Sequence, residues 1–337
     1  MLRERVMALL ETMSRRKIVV VGDAMLDVYL IGDVERISPE APVPVVTVHE
    51  RRHALGGASN VAANVAAIGA EVTLVAVVGD DRRGEQFRAE LAATGIRDEG
   101  IVITPGRPTT SKTRVVARNQ QLVRIDEEEA GYLDGPALDE VVRRLEAAIP
   151  GADAVLIEDY NKGVLTPEVI ERTLELARTS GVPSVVDPKF RNFFAYRGAS
   201  VFKPNRRELE AAVGAAVDIE HADALPTVMQ RLQVDTLLLT LGPQGMALLD
   251  KEGNVTRLPT QAREVYDVSG AGDTVTAWVG TALAAGASVR EAAELANYAA
   301  GIEVGKAGVA VVSREEVLGL YERRFDEVGM FRRGGVL

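Results

Sequence analysis

Residues 152–187, ADAVLIEDYNKGVLTPEVIERTLELARTSGVPSVVD, contain the pattern that decides the fold. An apolar run at 152–159 has the length of a buried strand. The helical pattern after it begins at Thr166, an N-cap residue followed by proline, and ends at Gly181. A second apolar run follows at 183–187. Strand, helix and strand in this order predict one unit of a parallel sheet.

The same alternation recurs along the chain. Near-continuous runs of β-branched residues and leucine are typical of strands that are buried on both faces. Such runs lie at 17–23, 71–80, 199–205 and 235–242, and helical patterns lie at 57–69 and 85–95. We therefore predict a three-layer, doubly wound α/β fold with a mostly parallel sheet. Ligands of such folds bind beyond the carboxyl ends of the strands, so strand ends carry the candidate site residues.

Composition excludes several functions. The chain has 337 residues, and 39 Lys and Arg against 49 Asp and Glu give a net charge of −10, which argues against a protein that coats nucleic acid. The absence of cysteine removes disulfides, cysteine-ligated metals and thiol nucleophiles. The opening residues lack the apolar core of a secretory signal, and no apolar run of about 18 residues occurs. We therefore expect a cytoplasmic protein that contacts neither membrane nor nucleic acid.

Two segments, 28–50 and 109–126, break the alternation of buried strands and helices. The first is β-rich with three prolines, and the second alternates like an exposed strand. We expect both to leave the main sheet, pair with each other and form a small β-strand lid over the active cleft. The alternative is a pair of surface hairpins without a role.

The strongest local motif is DVSGAGDTVTAW at 267–278. A glycine turn that opens a helix presents backbone N–H groups at the positive end of the helix dipole, which suits phosphate. Gly270, Ala271 and Gly272 form this turn, and Asp273 lies inside it. A carboxylate there repels phosphate, so one role for it is to accept the proton of an attacking hydroxyl in phosphoryl transfer. The other is only to stabilise the first turn of the helix.

Other glycine loops do not match this sequence. Val275 stands where the dinucleotide fingerprint G-x-G-x-x-G requires its third glycine. The phosphate loop G-x-x-x-x-G-K-[ST] does not occur. An NAD-dependent dehydrogenase therefore lacks its motif here.

A second glycine motif, LGGASNVAANVAAIG, occupies 55–69. Gly56 and Gly57 let the backbone approach a ligand closely, and Asn60 offers both a donor and an acceptor. This combination suits the neighbouring hydroxyls of a sugar. A glycine turn before a packed, alanine-rich helix is the alternative.

Together the two glycine motifs resemble the signatures of the ribokinase-like PfkB carbohydrate kinases. Gly69 and Gly79 have the spacing of the first signature, and the resemblance runs in order from about residue 17 to 322. Four further stretches are similar to the kinase portion of the heptose 7-phosphate kinases: RISPEAPVPVV at 36–46, KTRVVARNQQLVRID at 112–126, VDPK at 186–189 and NYAAGIEVGKAGVAVVS at 297–313.

This resemblance implies ATP-dependent phosphorylation of the anomeric hydroxyl of D-glycero-β-D-manno-heptose 7-phosphate, a step of ADP-heptose and lipopolysaccharide core biosynthesis. It also implies Mg²⁺ as a cofactor and leaves a need for a monovalent cation open. Many relatives carry a C-terminal nucleotidyltransferase. We see no second nucleotide-binding segment, so we expect a single ribokinase-like kinase domain over 1–337 with no C-terminal nucleotidyltransferase domain. The alternatives are a PfkB kinase for another sugar and a non-catalytic sugar- or nucleotide-binding regulator.

The resemblance also implies roles for individual residues. Asp273 would be the catalytic base, and the amides of Gly270, Ala271 and Gly272 would form an anion hole. Residues that would hold sugar hydroxyls are Asp23, Asp27, Gly56, Gly57 and Asn60. Residues that would form the ATP side are Asn205, Arg206, Arg207, Glu208, Thr240, Gly242, Gly245, Asn297, Gly305 and Lys306.

Two of these residues also have structural alternatives. Glu208 would reach Mg²⁺ directly or through water, but Asn205 with glutamate three residues later is equally a helix capping box. Asn297 lies in a helical pattern and is equally an exposed polar residue of that helix.

The phosphate of the substrate requires positive charge on this acidic chain. Candidate cations are Arg36, Lys112, Arg114, Arg118 and Lys189, with Asn119 and Gln120 as candidate hydroxyl partners. Strand alternation puts Lys112, Arg114 and Arg118 on one face if no bulge intervenes. The alternative is solvated charge that protects a strand edge. Since exposed lid strands have unpaired edges, we also expect a homodimer joined through them.

Overall fold

A computed structural model of the chain describes residues 1–118, 120–217, 225–262 and 264–333. The strands are β1 (Lys17–Gly22), β2 (Ala24–Ile37), β3 (Pro44–Gly57), β4 (Glu71–Gly79), β5 (Ile101–Thr104), β6 (Ser111–Ala117), β7 (Gln120–Glu127), β8 (Ala154–Glu158), β9 (Ser184–Asp187), β10 (Val201–Phe202), β11 (Thr236–Thr240), β12 (Met246–Asp250) and β13 (Val255–Leu258). The helices are α1 (Arg3–Met13), α2 (Ala58–Ile68), α3 (Arg82–Ala93), α4 (Gly135–Ala148), α5 (Pro167–Ser180), α6 (Arg206–Val213), α7 (Leu225–Leu232), α8 (Ala271–Ala284), α9 (Val289–Glu303) and α10 (Arg314–Arg333).

The main sheet has nine strands in the order β13-β12-β11-β10-β9-β8-β1-β4-β5. The seven strands from β11 to β5 are parallel, and β12 and β13 run antiparallel at one edge. Every residue of β8 is buried, as its continuous apolar run predicts. Helices cover both faces: α2, α8 and α9 pack on one apolar cluster and α4, α5 and α7 on the other. The predicted three-layer α/β fold is confirmed.

The helix that follows β8 begins and ends where the sequence predicts. The hydroxyl of Thr166 accepts a hydrogen bond from the backbone N–H of Val169, 3.1 Å away. Gly181 ends the helix in the left-handed conformation, with φ 68°. Other boundaries differ: the strand expected at 199–205 is only Val201–Phe202, and the helix expected at 85–95 begins earlier, because Asp81 caps it.

The lid is a separate four-stranded sheet in the order β3-β2-β6-β7. β2 pairs in parallel with β6, so the two segments expected to leave the main sheet do pair with each other. β2 begins two residues after β1 ends, and β3 runs directly into α2. The base of the lid is thereby joined to the edge of the sheet where ligands of such folds bind.

The register of the main sheet brings polar residues together at that edge. Gly22 lies opposite Glu158, and Glu158 lies opposite Asp187. β10 ends beside them, with Phe202 opposite Val186, so Lys203 emerges at the same edge. Among the described residues, no helix is both long and apolar enough to cross a membrane.

Candidate active site

The glycine turn before α8, which is the predicted anion site, opens the helix as the sequence predicts. Gly270 caps the helix in the left-handed conformation, with φ 95°, which glycine adopts without strain. The N–H groups of a first helical turn have no acceptor within their helix, so that of Gly272 is available to an anion. The N–H of Ala271 makes only a long hydrogen bond of 3.5 Å to the backbone oxygen of Val268. Asp273 follows them in the same turn.

Asp273 is buried, and both of its oxygens accept hydrogen bonds. Asn60 Nδ2 donates to Oδ2 at 2.7 Å, and the Tyr160 hydroxyl donates to Oδ1 at 2.9 Å. Burial raises the pKa of Asp273 to about 6, helped by the charge of Asp187 and opposed by these two donors. The carboxylate is fixed, ionised at neutral pH and basic enough to take a proton.

Gly56 and Gly57, in the glycine motif at 55–69, keep open the space beside Asp27 and the backbone of Asp23. A Cβ on Gly56 would lie 2.7 Å from Asp27 Oδ2, and one on Gly57 would lie 2.4 Å from the backbone oxygen of Asp23. Asp27 is buried and accepts a hydrogen bond from Arg114. The arrangement brings together Asp27, Gly56, Gly57, Asn60 and Asp273, five of the predicted site residues.

Asp23 has a role other than the predicted one. Its Oδ2 accepts backbone N–H groups of Tyr160 and Lys162 at 2.8 Å, and its Oδ1 accepts that of Val164 at 3.0 Å. Asp23 therefore fixes the loop that carries Tyr160 toward Asp273, and its carboxylate is not presented to a sugar.

A cavity of about 300 Å³ lies on the other side of α8. Predicted residues that line it are Asn205, Thr240, Gly242, Gly245, Ala271, Gly272 and Asn297. Its remaining walls are mostly apolar, with Val265, Val268, Val275 and Val304 among them. An apolar cleft that ends at a helix N-terminus suits a nucleotide, whose base is apolar and whose phosphates are anionic.

Asn297 is a buried residue of this cavity, so the alternative of an exposed helix residue is wrong for it. Its Nδ2 donates to the backbone oxygen of Pro259 at 2.7 Å. Lys306 does not line this cavity, and its Nζ donates to the backbone oxygen of Val311 and pairs with Glu316. Ala300, Gly301 and Val304, rather than Gly305, supply this wall of the cavity.

The capping box at α6 is present. Asn205 Oδ1 accepts the backbone N–H of Glu208, and Glu208 Oε2 accepts that of Asn205, both at 2.9 Å. Glu208 Oε1 accepts from Lys189 Nζ. Both carboxylate oxygens are thus engaged, which fits Mg²⁺ held through water rather than directly. Arg206 reaches Gln244 at 3.3 Å, whereas Arg207 is exposed.

The predicted cluster of phosphate-binding cations is dispersed. The alternation of β6 places Lys112 and Arg114 on one face, but β6 ends at Ala117 and Arg118 follows with φ 49°, so the shared face does not extend to Arg118. Arg36 and Gln120 are exposed toward the far end of the lid, and Asn119 lies outside the described residues.

The three remaining cations are already paired. Lys112 contacts Asp126 and Glu128, Arg114 contacts Asp27, and Lys189 contacts Glu208. Lys189 also lies over the ring of Tyr160, 5.0 Å from its centre.

Sequence reasoning missed five polar residues of the site, of which Tyr160 is half-buried and the others are buried: Glu158, Tyr160, Asp187, Lys203 and Glu303. The first four follow or end strands at the edge of the sheet where ligands bind, a signal that was available from the sequence. Glu303 ends α9 beside the anion site, where a Cβ on Gly270 would lie 3.3 Å from its Oε1. Burial raises the pKa of Glu303 to about 8, and Asp267 and Asp273 contribute.

Three features of this structure define the ribokinase-like class of phosphotransferases. They are a mostly parallel sheet, a glycine turn that opens a helix, and a fixed carboxylate beside that turn. The pfkB family carbohydrate kinase model matches residues 15–316. The chain belongs to this family.

Two similar proteins, both named Bifunctional protein HldE, come from Rhodospirillum rubrum and Pelobacter propionicus. They are 44% and 46% identical to this chain over 91% and 89% of its length. The chain spans 62% of the length of each of them, which is less than two thirds.

Solved structures of similar fold include a ribokinase from Arabidopsis thaliana complexed with ribose and ATP. Its TM-score is 0.72 at 22% identity, over 91% of this chain and 98% of that one. Phosphofructokinase-2 from Escherichia coli in complex with potassium has a TM-score of 0.74 at 20% identity, over 92% of this chain and 99% of that one. At these identities the likeness concerns the fold, and it agrees with the predicted ribokinase-like architecture.

Proposed function

We propose that the chain transfers the γ-phosphoryl group of ATP to the anomeric O1 hydroxyl of D-glycero-β-D-manno-heptose 7-phosphate, giving the 1,7-bisphosphate in ADP-heptose and lipopolysaccharide core biosynthesis. One observation carries the proposal: Asp273 lies in the first turn of α8, next to the N–H groups of the anion site. The predicted sugar-binding residues Asp27, Gly56 and Gly57 lie on one side of it, and the cavity suited to a nucleotide lies on the other. The choice of sugar rests on the resemblance of the sequence to heptose 7-phosphate kinases. The similarity to two proteins named Bifunctional protein HldE supports it.

In this reaction Asp273 accepts the proton of the O1 hydroxyl as that oxygen attacks the γ-phosphorus. The O1–phosphorus bond forms, and the bond to the β-phosphate oxygen breaks with its electron pair leaving on ADP. The amides of Gly270–Gly272 stabilise the oxygens of the phosphoryl group in transit. The lid excludes water, which suppresses hydrolysis of ATP.

The cofactors of the proposal are ATP and Mg²⁺. When bound, Mg²⁺ supplies positive charge to the phosphates. Glu208 would hold it through water, because Lys189 and the backbone of Asn205 already engage both of its oxygens. A requirement for a monovalent cation belongs to the same proposal and is tested by comparing rates in potassium and in a bulky organic cation.

We propose that Lys112, Arg114 and Lys189 bind the phosphate of the sugar. Each ammonium or guanidinium has donors beyond those it uses in its ion pair. The side chains of Lys112 and Arg114 are mostly buried, with 16% and 20% exposed, so these two are not simply solvated edge charges.

We also propose a cytoplasmic homodimer joined through the lid. Support comes from β7, an edge strand of the lid whose residues are all exposed. Val123 and Ile125 are 49% and 50% exposed on one face of it. Exposed apolar side chains beside an open strand edge favour pairing with a second copy.

A panel of sugars and sugar phosphates with ATP·Mg²⁺, followed by release of ADP, tests the proposal. We expect turnover with heptose 7-phosphate to exceed that with ribose, fructose 6-phosphate and heptose by at least about 100-fold in kcat/KM, as is typical when buried polar partners lose their ligand. Faster turnover of another acceptor would make the chain a PfkB kinase for that sugar. No sugar-dependent turnover would leave a non-catalytic binding protein.

A further inference from the structure

Lys203 is a buried lysine that the mechanism above does not use. It follows β10 at the ligand-binding edge of the sheet and is 2% exposed. Its Nζ donates to Asp187 Oδ2 at 2.7 Å. Burying an ammonium costs free energy, so buried lysines are found where the ammonium is paired with an anion or takes part in function.

The ammonium of Lys203 lies against the anion site. A Cβ on Gly272 would come 3.5 Å from Lys203 Nζ and 3.6 Å from Asp187 Oδ2. Only the missing side chain of Gly272 therefore keeps the space between the ammonium and the first turn of α8 open. An ammonium has three N–H donors, and the described hydrogen bonds of Lys203 use one of them.

Glu158 adds a second carboxylate beside Lys203. It is completely buried, and neither of its oxygens has a hydrogen-bond partner among the described residues. Carboxylate oxygens of Glu158, Asp187 and Asp273 lie within 4.8 Å of one another. Burial and the charges of Asp187 and Asp273 raise the pKa of Glu158 well above its usual range, so the ammonium of Lys203 offsets mainly the charge of these two aspartates.

The electrostatics keep Lys203 charged. Burial alone would lower its pKa, but Asp187 and Glu158 together raise it above its usual value of 10.5. Lys203 in turn lowers the pKa of Asp273, against the raising effect of burial and of Asp187. The ammonium of Lys203 therefore favours the ionised form of Asp273, the proposed base.

We propose that Lys203 is a further catalytic residue, whose ammonium contacts the phosphoryl group as it passes over the amides of Gly270–Gly272, with Asp187 and Glu158 holding it there. This inference rests on the proposed phosphoryl transfer. Lys203 donates a hydrogen bond to a non-bridging oxygen and keeps its proton, so the bonds that form and break are those already described.

The competing explanation is that Lys203 only balances the charges of Asp187 and Glu158 within the fold. Two variants separate the explanations. Lys203→Met removes the ammonium and leaves Asp187 without its partner, whereas the double variant Asp187→Asn/Lys203→Met also removes that negative charge. Lys251→Met, at an exposed turn between β12 and β13, is the control.

The measurement is kcat and KM with the best acceptor of the wild-type protein, together with thermal unfolding. We expect Lys203→Met to lower kcat by about 100- to 1,000-fold, as loss of one donor to a developing anion does, with a much smaller change in KM. In the double variant we expect Tm to recover toward wild type while kcat stays at least about 100-fold low.

Recovery of kcat to within about tenfold of wild type in the double variant would overturn the proposal, since charge balance would then be the whole role of Lys203. A single variant with near-normal kcat would overturn it too. A wild-type protein with no sugar-dependent turnover of ATP would instead contradict the proposed function, so the two failures are distinguishable.

Discussion

Asp273 is the residue on which the proposed chemistry depends. Its two hydrogen-bond donors, Asn60 and Tyr160, come from α2 and from the loop after β8, so the carboxylate is fixed by distant parts of the chain. The sequence predicts Asp273, because the residue lies inside a recognisable motif. It does not predict Tyr160 as a partner, because that contact depends on the loop that Asp23 holds.

We expect Asp273→Asn to lower kcat by about 100- to 10,000-fold, the usual contribution of a positioned base. The amide has the same shape but cannot take the proton of the hydroxyl, so binding of ATP and sugar should persist. Rapid-quench kinetics and calorimetry measure the two properties separately. A variant with near-normal kcat would rule Asp273 out as the base.

The pH dependence of kcat/KM should show an acid limb near pH 6, because Asp273 must be ionised and burial raises its pKa to about 6. Tyr160→Phe removes a donor that favours the ionised form, so the limb should move to higher pH in this variant. Since the phosphates of the substrates titrate identically with both proteins, the difference reports Asp273 alone. Superimposable profiles would contradict this assignment.

At the scale of elements, the sequence predicts the strands and helices of the main sheet well because each carries its own signal. β8 is a continuous apolar run, and α5 has an N-cap, a proline and a terminal glycine. β10 is shorter than predicted, since apolar periodicity does not tell where a strand loses its partners. The predicted face of β6 does not include Arg118, because β6 ends at Ala117 and the alternation of residues does not tell where a strand ends.

The junction of β3 with α2 requires glycine at position 57. Its φ is 57°, and a Cβ would collide with the backbone oxygen of Asp23 at 2.4 Å. We expect Gly57→Ala to destabilise the protein by more than about 2 kcal/mol, because φ 57° with ψ −135° is a conformation that alanine rarely adopts, which costs about 1–3 kcal/mol before the collision is counted.

Gly106→Ala is the matched control for Gly57→Ala, because Gly106 has φ 81° and open space around its Cβ position. Urea denaturation measures both variants. Equal losses of stability would show that the contact with Asp23 contributes nothing.

At the scale of the whole molecule, the net charge of −10 does not describe the site. In the proposed reaction anionic substrates would approach the N–H groups of α8 and the ammonium of Lys203, although Asp187 and Asp273 lie close by. The sequence predicts the lid and its pairing, but not which of its cations are engaged by Asp126, Glu128 or Asp27, because those contacts are long-range.

The lid should also set the oligomeric state. We expect the wild-type protein to be a dimer by light scattering at micromolar concentration, and Val123→Asp/Ile125→Asp to be a monomer, because two buried charges oppose an apolar interface. Gln121→Asp, on the same strand, is the control and should stay dimeric. A monomeric wild-type protein would contradict the proposed interface.

The most direct test of the proposed function is ³¹P NMR of heptose 7-phosphate incubated with ATP·Mg²⁺ and the protein. We predict a new resonance from an anomeric phosphate, coupled to the proton on C1, that grows in step with ADP while the 7-phosphate resonance persists. Consumption of ATP with no second phosphate on the sugar, or a new phosphate at another carbon, would contradict anomeric phosphorylation of this substrate.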